Sequence, residues 1–473
     1  MDQARAPMYE ALMKHVEINP ISYHVPGHKN GRIFPNVKAF STILPYDLTE
    51  ITGLDDLHQP EGAILEAEEL AADLYQTDYT FFLVNGSTAG NLAMILSVCG
   101  PGDSIIVQRN CHKSAMNGLE LAGAKPIFVS PDYDRTTNRY SKLEAEKVIE
   151  AIHEHPNAKG IFLTYPDYFG STFELSKIIE SAHHYDMPVL VDEAHGAHFP
   201  LSDHFPQSAL QLGADLVVHS AHKTLPAMTM GSLLHIQSKY VSYETVKNFL
   251  QIVQSSSPSY PIMASLDLAR KYAASLTGRA YDEIMMNVNK LREALKALPS
   301  IELLPLRSGI DDPLKITLTS DDWDMSHIEV LLNEIGVFPE MVQENQLLLM
   351  IGLQTKPLEL NWIQNLKDYL LQADKTIKHD TINNETNFVD IQAFDYDYQS
   401  LKKLHSTWVD WDGAIGKITA SSVIPYPPGI PILLKGERIQ QEHVDTILNL
   451  ISSRKHIQYQ GKDLENGIEI FIE

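Results

Sequence analysis

Cysteine is almost absent: the chain of 473 residues has two, Cys99 and Cys111. That is too few for a disulfide framework and suits a reducing compartment. Positive charge is also scarce. Lys and Arg number 37 against 61 Asp and Glu, a formal charge of −24, whereas a protein that neutralises nucleic-acid phosphates needs clustered basic residues. No nucleic-acid partner is expected. The acid excess serves solubility first, and it would also suit a cationic small substrate. Long apolar runs are missing too. The longest, around Leu92 to Cys99, falls well short of the roughly 20 residues that cross a bilayer. Met1 to Glu10 show no basic region followed by an apolar stretch, so a cytoplasmic chain with no membrane segment is expected. Neither G-x-G-x-x-G nor a Walker lysine pattern occurs, which lowers nucleotide readings. No H-E-x-x-H occurs either, so Asp192, Glu193, His195 and His198 are not read as metal ligands.

What is present is an ordinary globular composition, 44% hydrophobic, in a chain long enough for several domains. Apolar positions Ile64, Leu65, Leu70, Ala71 and Leu74 predict a helix over Gly62 to Gln76. A strand follows over Thr80 to Val84, then helical spacing from Ala89 to Val98. Short apolar runs at Ser104 to Val107, Pro126 to Val129, Gly160 to Thr164, Pro188 to Asp192 and Asp215 to His219 read as buried strands. The alternation predicts an α/β domain with a mostly parallel sheet. The segment before residue 60 is rich in Pro, Gly and His and reads as an irregular arm packing on something else, another subunit being one candidate. Beyond Pro258, helical spacing over Met263 to Leu298 and strands at Lys315 to Leu318 and Leu347 to Ile351 predict a smaller α/β domain. A polar linker, Lys375 to Thr386, precedes a third unit, Asn387 to Glu473. The expected division is an arm over 1–60, a large domain over 61–262, a small domain over 263–374, and linker plus C-terminal domain over 375–473.

The chemistry gathers at predicted strand ends, where open α/β sheets place their ligands. Ser220-Ala221-His222-Lys223-Thr224 follows one strand, and Asp192-Glu193-Ala194-His195-Gly196 closes another. A lysine there can form an imine with an aldehyde cofactor, and an aspartate can pair with a protonated pyridine nitrogen. Taken singly, the lysine would be a solvated side chain and the aspartate a helix cap. Asn85-Gly86-Ser87-Thr88-Ala89-Gly90 joins a strand to a helix. Gly86 allows close backbone approach, while the Ser87 and Thr88 hydroxyls and the helix N-terminus offer donors to a phosphate, although the same residues serve equally as plain caps. His112, in Asn110-Cys111-His112-Lys113-Ser114, follows the next strand and can stack on a pyridine face.

At these residues the chain resembles the ornithine/lysine/arginine decarboxylase family of fold-type I pyridoxal-phosphate enzymes, in its shorter bacterial form. The resemblance runs through His24-Val25-Pro26-Gly27-His28-Lys29-Asn30-Gly31, Gly53-Leu54-Asp55-Asp56-Leu57-His58, Ser255-Ser256-Ser257-Pro258-Ser259-Tyr260-Pro261 and Pro425-Tyr426-Pro427-Pro428-Gly429-Ile430-Pro431. It implies a pyridoxal 5'-phosphate cofactor joined to Lys223, with Asp192 as partner of the ring nitrogen and His112 as the stacking ring. Gly86, Ser87, Thr88, His195, Ser220 and His222 would stand at or near the cofactor. Lys223, His222 and Asp192 are the implied catalytic set, with no metal. The serine run resembles a segment that reaches a neighbouring subunit's phosphate, so Ser256 and a homodimer or higher assembly are implied.

The implied activity is decarboxylation of a basic amino acid, a step of polyamine biosynthesis. Arginine, lysine and ornithine stay open, since longer members carry an acidic residue before the Pro-Tyr-Pro-Pro-Gly string where this chain has Ala420-Ser421-Ser422. The same electron sink serves aminotransferases and β-eliminating lyases. An aminotransferase would hold the substrate carboxylate with a small-domain arginine, for which Arg307 is available, although a surface arginine is the plainer reading. A catalytically silent regulatory homologue is the other alternative, and retention of both Lys223 and Asp192 counts against it.

Overall fold

The computed structural model describes residues 1–33, 38–343, 345–373, 375, 388–425, 431–453 and 456–472. Residues 376–386 of the linker and 426–430 of the Pro425 to Pro431 string lie outside the described residues. The chain forms two compact units, Met1–Val98 with Pro188–Tyr281, and Cys99–Met187 with Asp282–Glu473.

The first unit opens with a helix, α1 (Pro7–Glu17), where the sequence suggested an irregular arm. Proline in the first turn suits a helix start. Only Pro7, Met8 and Leu12 are buried, too few apolar positions to register as a period. The Met8 N–H donates to Asp267 Oδ2 at 2.9 Å and Arg270 donates to the Gln3 carbonyl at 2.7 Å, so this part of the arm docks on its own unit. Helix α2 (Ala63–Tyr75) follows. Its first turn is capped from a distance by Asp55, which accepts the N–H groups of Gly62, Ile64 and Leu65 at 2.8, 2.9 and 3.3 Å. The Gly53 to His58 string thus has a local structural task, satisfying helix donors that would otherwise lack partners.

Strand β1 (Tyr79–Leu83) leads into helix α3 (Gly86–Val98); later come strand β2 (Val189–Asp192), strand β3 (Leu216–His219), the short turn of helix α4 (Ala221–Thr224) and strand β4 (Ser232–Ile236). Helices α5 (Tyr243–Val253) and α6 (Tyr260–Ser275) follow. Strands β2 and β3 are parallel, Asp192 lying opposite Val218, while β4 runs antiparallel between β3 and β1. Its direction puts Ser232 opposite Leu83, so the residues entering β4 stand at the same rim as the ends of the other three strands. Helix α3 lies tight on this sheet: a Cβ on Gly90 would stand 2.5 Å from Val218 Cγ2.

In the second unit Ser104–Gln108 pairs in parallel with both Lys125–Val129 and Ile161–Thr164. Ile391–Ala393 adds antiparallel to Lys125–Val129. The α/β architecture with largely parallel central strands is the one expected. Glu302–Leu303, Lys315–Thr319, Gln346–Met350 and Met341–Gln343 form a separate antiparallel sheet. The single helical stretch expected over Met263 to Leu298 is two helices, Tyr260–Ser275 and Gly278–Lys296. Near the C-terminus, Trp411, Val423, Leu433, Val444, Ile447 and Ile468 share one buried cluster. The buried Arg109 reaches this region, donating to Glu437 Oε1 at 2.9 Å and Oε2 at 2.8 Å.

Candidate active site

The rim of the first unit is built where β2 and β3 end and α3 begins. Asp192, the last residue of β2, is 3% exposed. Its Oδ2 accepts from Asn91 Nδ2 at 2.8 Å and its Oδ1 from the Ala194 N–H at 3.1 Å. Both of these donors are neutral groups, and a buried carboxylate at this rim is suited to a positively charged partner.

Helix α3 aims its N-terminus at the same rim. Gly86, at φ +73°, begins it, and its N–H donates to the Met230 carbonyl at 3.0 Å. Ser87 and Thr88 therefore sit in the first helical turn, the helix beginning three positions earlier than the Ala89 start the sequence suggested, with Thr88 exposed. Ser220 Oγ donates to Ser87 Oγ at 2.8 Å, joining the end of β3 to the start of α3. Two hydroxyls together at the N-terminus of a 13-residue helix offer donors and a favourable dipole to an anion.

Lys223 stands on the short turn of α4, largely exposed, with Nζ 3.0 Å from His195 Nε2. If the lysine is an ammonium it donates, so the His195 proton resides on Nδ1. The His222 N–H and Nδ1 both reach the Gly231 carbonyl, at 3.2 and 3.0 Å, which makes Nδ1 a donor. Ser256 is exposed in a serine run fixed through Ser255, whose N–H donates to Asn85 Oδ1 at 3.4 Å and whose carbonyl lies 2.8 Å from His58 Nε2. His112 belongs to the second unit. It caps the helix Lys113–Ala122, with Nδ1 accepting from the Ser114 N–H at 3.2 Å and lying 2.7 Å from Ser114 Oγ. Arg307, the candidate for an aminotransferase-type carboxylate clamp, is a half-exposed arginine paired with Asp311, at 2.9 Å from Nε and 2.8 Å from Nη2.

Asn91 escaped the sequence reading. It sits four residues beyond Ser87 on one face of α3, and a buried amide within the apolar run Ala89 to Val98 was the available signal. Glu193, weighed only as a metal ligand, bonds instead to His219, whose role depends on a partner no local pattern reveals.

The residues present fit pyridoxal phosphate. An amine stands on a strand-end turn, a buried carboxylate suits a protonated ring nitrogen, and a hydroxyl-lined helix terminus suits the phosphate. Fold and site together define a fold-type I pyridoxal-phosphate enzyme. The family description "Orn/Lys/Arg decarboxylase, major domain" matches residues 6–323, and its C-terminal domain matches residues 384–459. The chain belongs to the Orn/Lys/Arg decarboxylase family, the decarboxylases of basic amino acids, and is a pyridoxal-phosphate-dependent amino-acid decarboxylase. It is 43% identical to the uncharacterized protein YaaO of Bacillus subtilis, over 99% of this chain and 98% of that protein. It is 34% identical to an arginine decarboxylase of Bacillus anthracis, over 99% and 95%. Among solved structures, the Francisella novicida lysine decarboxylase LdcF shares the fold with a TM-score of 0.79 at 19% identity, covering 98% of this chain and 81% of that one. Among the described residues no helix is long and apolar enough to cross a membrane.

Proposed function

We propose that this chain removes the α-carboxyl group of arginine, using Lys223, Asp192 and His222, and that Gly86, Ser87, Thr88, His195 and Ser220 hold the cofactor. The observation that carries the site is the buried Asp192 carboxylate at the end of β2, held in place by Asn91 and the Ala194 N–H. Bound there, pyridoxal phosphate supplies the conjugated system that accepts the electrons of the breaking bond between Cα and the carboxylate. Asp192 holds a proton at the ring nitrogen. Ser87, Ser220 and the first N–H groups of α3 grip the phosphate, and His195 orients the Lys223 amine. Lys223 and His222 stand ready to return a proton to Cα after carbon dioxide leaves. Arginine is preferred over lysine and ornithine because relatives named for it are 34–35% identical to this chain, against 21–28% for those named for lysine or ornithine.

Several further roles belong to the same reading. His112 stacks on the ring face, and Ser256 reaches the phosphate of a second copy in a cytoplasmic homodimer that feeds polyamine biosynthesis. The exposed Ile21, Tyr23, Val25 and Ile33, at 74%, 94%, 64% and 69%, support a partner over the arm, because contiguous exposed apolar residues mark interaction surfaces. The domain division expected from the sequence is kept for the working enzyme. The test is to incubate the purified holoenzyme with arginine, lysine and ornithine separately and measure carbon dioxide and amine. Arginine should give agmatine fastest; preference for another substrate refutes the arginine assignment. Lys223→Ala should abolish both the visible absorption of bound cofactor and turnover, and an unchanged spectrum refutes the site.

A further inference from the structure

Behind Asp192 lies a buried polar chain that the scheme above does not use. His219 Nε2 is 2.6 Å from Glu193 Oε2, His235 Nε2 is 3.0 Å from His219 Nδ1, and Thr80 Oγ1 is 2.8 Å from His235 Nδ1. Glu193, His219 and His235 are each 0% exposed. Glu193 also accepts from Ser208 Oγ at 2.6 Å and from the Ala209 N–H at 2.8 Å. The Tyr75 ring packs against both imidazoles, its centroid 5.3 Å from His219 and 4.6 Å from His235.

The proton positions follow from the atoms. An ionised carboxylate only accepts, so Nε2 of His219 carries a proton. Its Nδ1 then accepts from His235 Nε2–H, and His235 Nδ1 accepts from the Thr80 hydroxyl. Burial and the adjacent His219 hold the pKa of His235 well below the ordinary histidine range, in keeping with a neutral ring. Every bond points the same way, toward Glu193, and in such a series each bond polarises the next.

The location gives the chain its meaning. Successive residues of a strand face opposite sides. Asp192 turns toward α3 and Asn91, while Glu193 turns to the other side, toward Ser208 and His219. His219 in turn immediately precedes Ser220, which bonds to Ser87. The Glu193 N–H donates to the Val218 carbonyl at 3.0 Å, so the ends of β2 and β3 are tied by backbone and side chain together. An apolar pair could fill this space without the desolvation cost of a buried charge. A directional contact with one allowed geometry sets the strand ends in a way that apolar packing does not.

We propose that Glu193, His219 and His235 are positioning residues that fix Asp192 relative to the Ser220–Lys223 turn while touching neither cofactor nor substrate. The proposal rests on the roles given to Asp192 and Lys223 above. The experiment compares His219→Leu with His219→Gln as holoenzymes; glutamine can donate to Glu193 and accept from His235, whereas leucine can do neither. Leucine should shift the absorption maximum of bound cofactor and speed cofactor release about tenfold, as expected for one lost buried hydrogen-bond partner, and glutamine should restore both to within about twofold. Lys223→Ala in the same series separates the failures. If that variant keeps the visible band, the site reading falls. If it loses the band but His219→Leu leaves spectrum and release unchanged, or if glutamine fails to rescue, the positioning proposal alone falls. Should His219→Leu not fold, Glu193→Gln is measured instead. It should shift the absorption maximum and move the low-field imidazole N–H resonances of the wild-type proton spectrum; an unmoved spectrum and resonances overturn the proposal.

Discussion

Glu68 offers the most quantitative perturbation in the molecule. This α2 residue is 5% exposed, and its Oε1 accepts the N–H of Phe82 at 2.8 Å. Burial pushes its carboxyl from 4.5 up to about 8, against the smaller pull of the Phe82 N–H. Below pH 4.5 the group is protonated in both folded and unfolded chains and makes no difference. Between 4.5 and 8 the unfolded chain gives up the proton while the folded one keeps it, so stability falls as pH rises. At pH 7 that spans two and a half pH units at about 1.4 kcal/mol each, a cost of about 3 kcal/mol, rising to about 5 kcal/mol above pH 8. Glu68→Gln removes the proton but keeps an oxygen for the Phe82 N–H. The variant should match wild type near pH 4 and gain stability progressively to pH 8.5. Denaturant titrations of both proteins at pH 4.5, 7 and 8.5 give the difference, which isolates Glu68 because every other group is common to both. A pH-independent difference, or a variant less stable at pH 8.5, would refute the reasoning.

Other perturbations follow from the same geometry. Asn91→Ala removes the 2.8 Å donor to Asp192, and dialysis followed by absorbance should show cofactor retention weakened about ten- to a hundredfold, as for a lost hydrogen bond to a charged group. Gly90→Ala forces a Cβ to 2.5 Å from Val218 Cγ2, a case of overpacking that should cost about 1–3 kcal/mol in denaturant titrations; adding Val218→Ala should recover much of it, and no recovery would place the strain elsewhere. Arg109→Met strands the buried Glu437, which Arg109 holds at 2.8 Å, so destabilisation of about 3–5 kcal/mol is expected. The double variant with Glu437→Leu should be milder than that single change, measured the same way.

Some of this was legible from the sequence, and the division has a physical basis. Runs such as Val189 to Val191 and Leu216 to Val218 show as strands because a strand buried on both faces needs no polar alternation. The polar residues that end them, Asp192 and Ser220, drew attention for the same reason. Strand β4 was hidden because Ser232 and His235 interrupt a short apolar run, and helix α1 because too few of its residues are buried. Lys223, Asp192 and Ser87 could be picked out only together, since each alone reads as a solvated lysine or a helix cap while all three at predicted strand ends form an uncommon set. Asn91, His219 and His235 could not. Each is an ordinary polar residue until the fold supplies a partner from another element, as Asp192, Glu193 and Thr80 do.

The consecutive residues Asp192 and Glu193 show how one strand end can serve two purposes. Strand geometry sends their carboxylates to opposite layers, and the layers treat them differently. Asp192 accepts from the Asn91 amide and the Ala194 N–H at the rim. Glu193 is closed in by Ser208, Ala209 and His219 and has none left over. Exchanging the two environments would leave the rim with a satisfied carboxylate unable to attract a cationic ring, and the interior with an unsatisfied one at a cost of several kcal/mol. The order acid-then-anchor therefore follows from the alternation of successive residues where β2 ends. The same logic orders His219 and Ser220 at the end of β3, where the buried imidazole comes first and the hydroxyl that bonds Ser87 second.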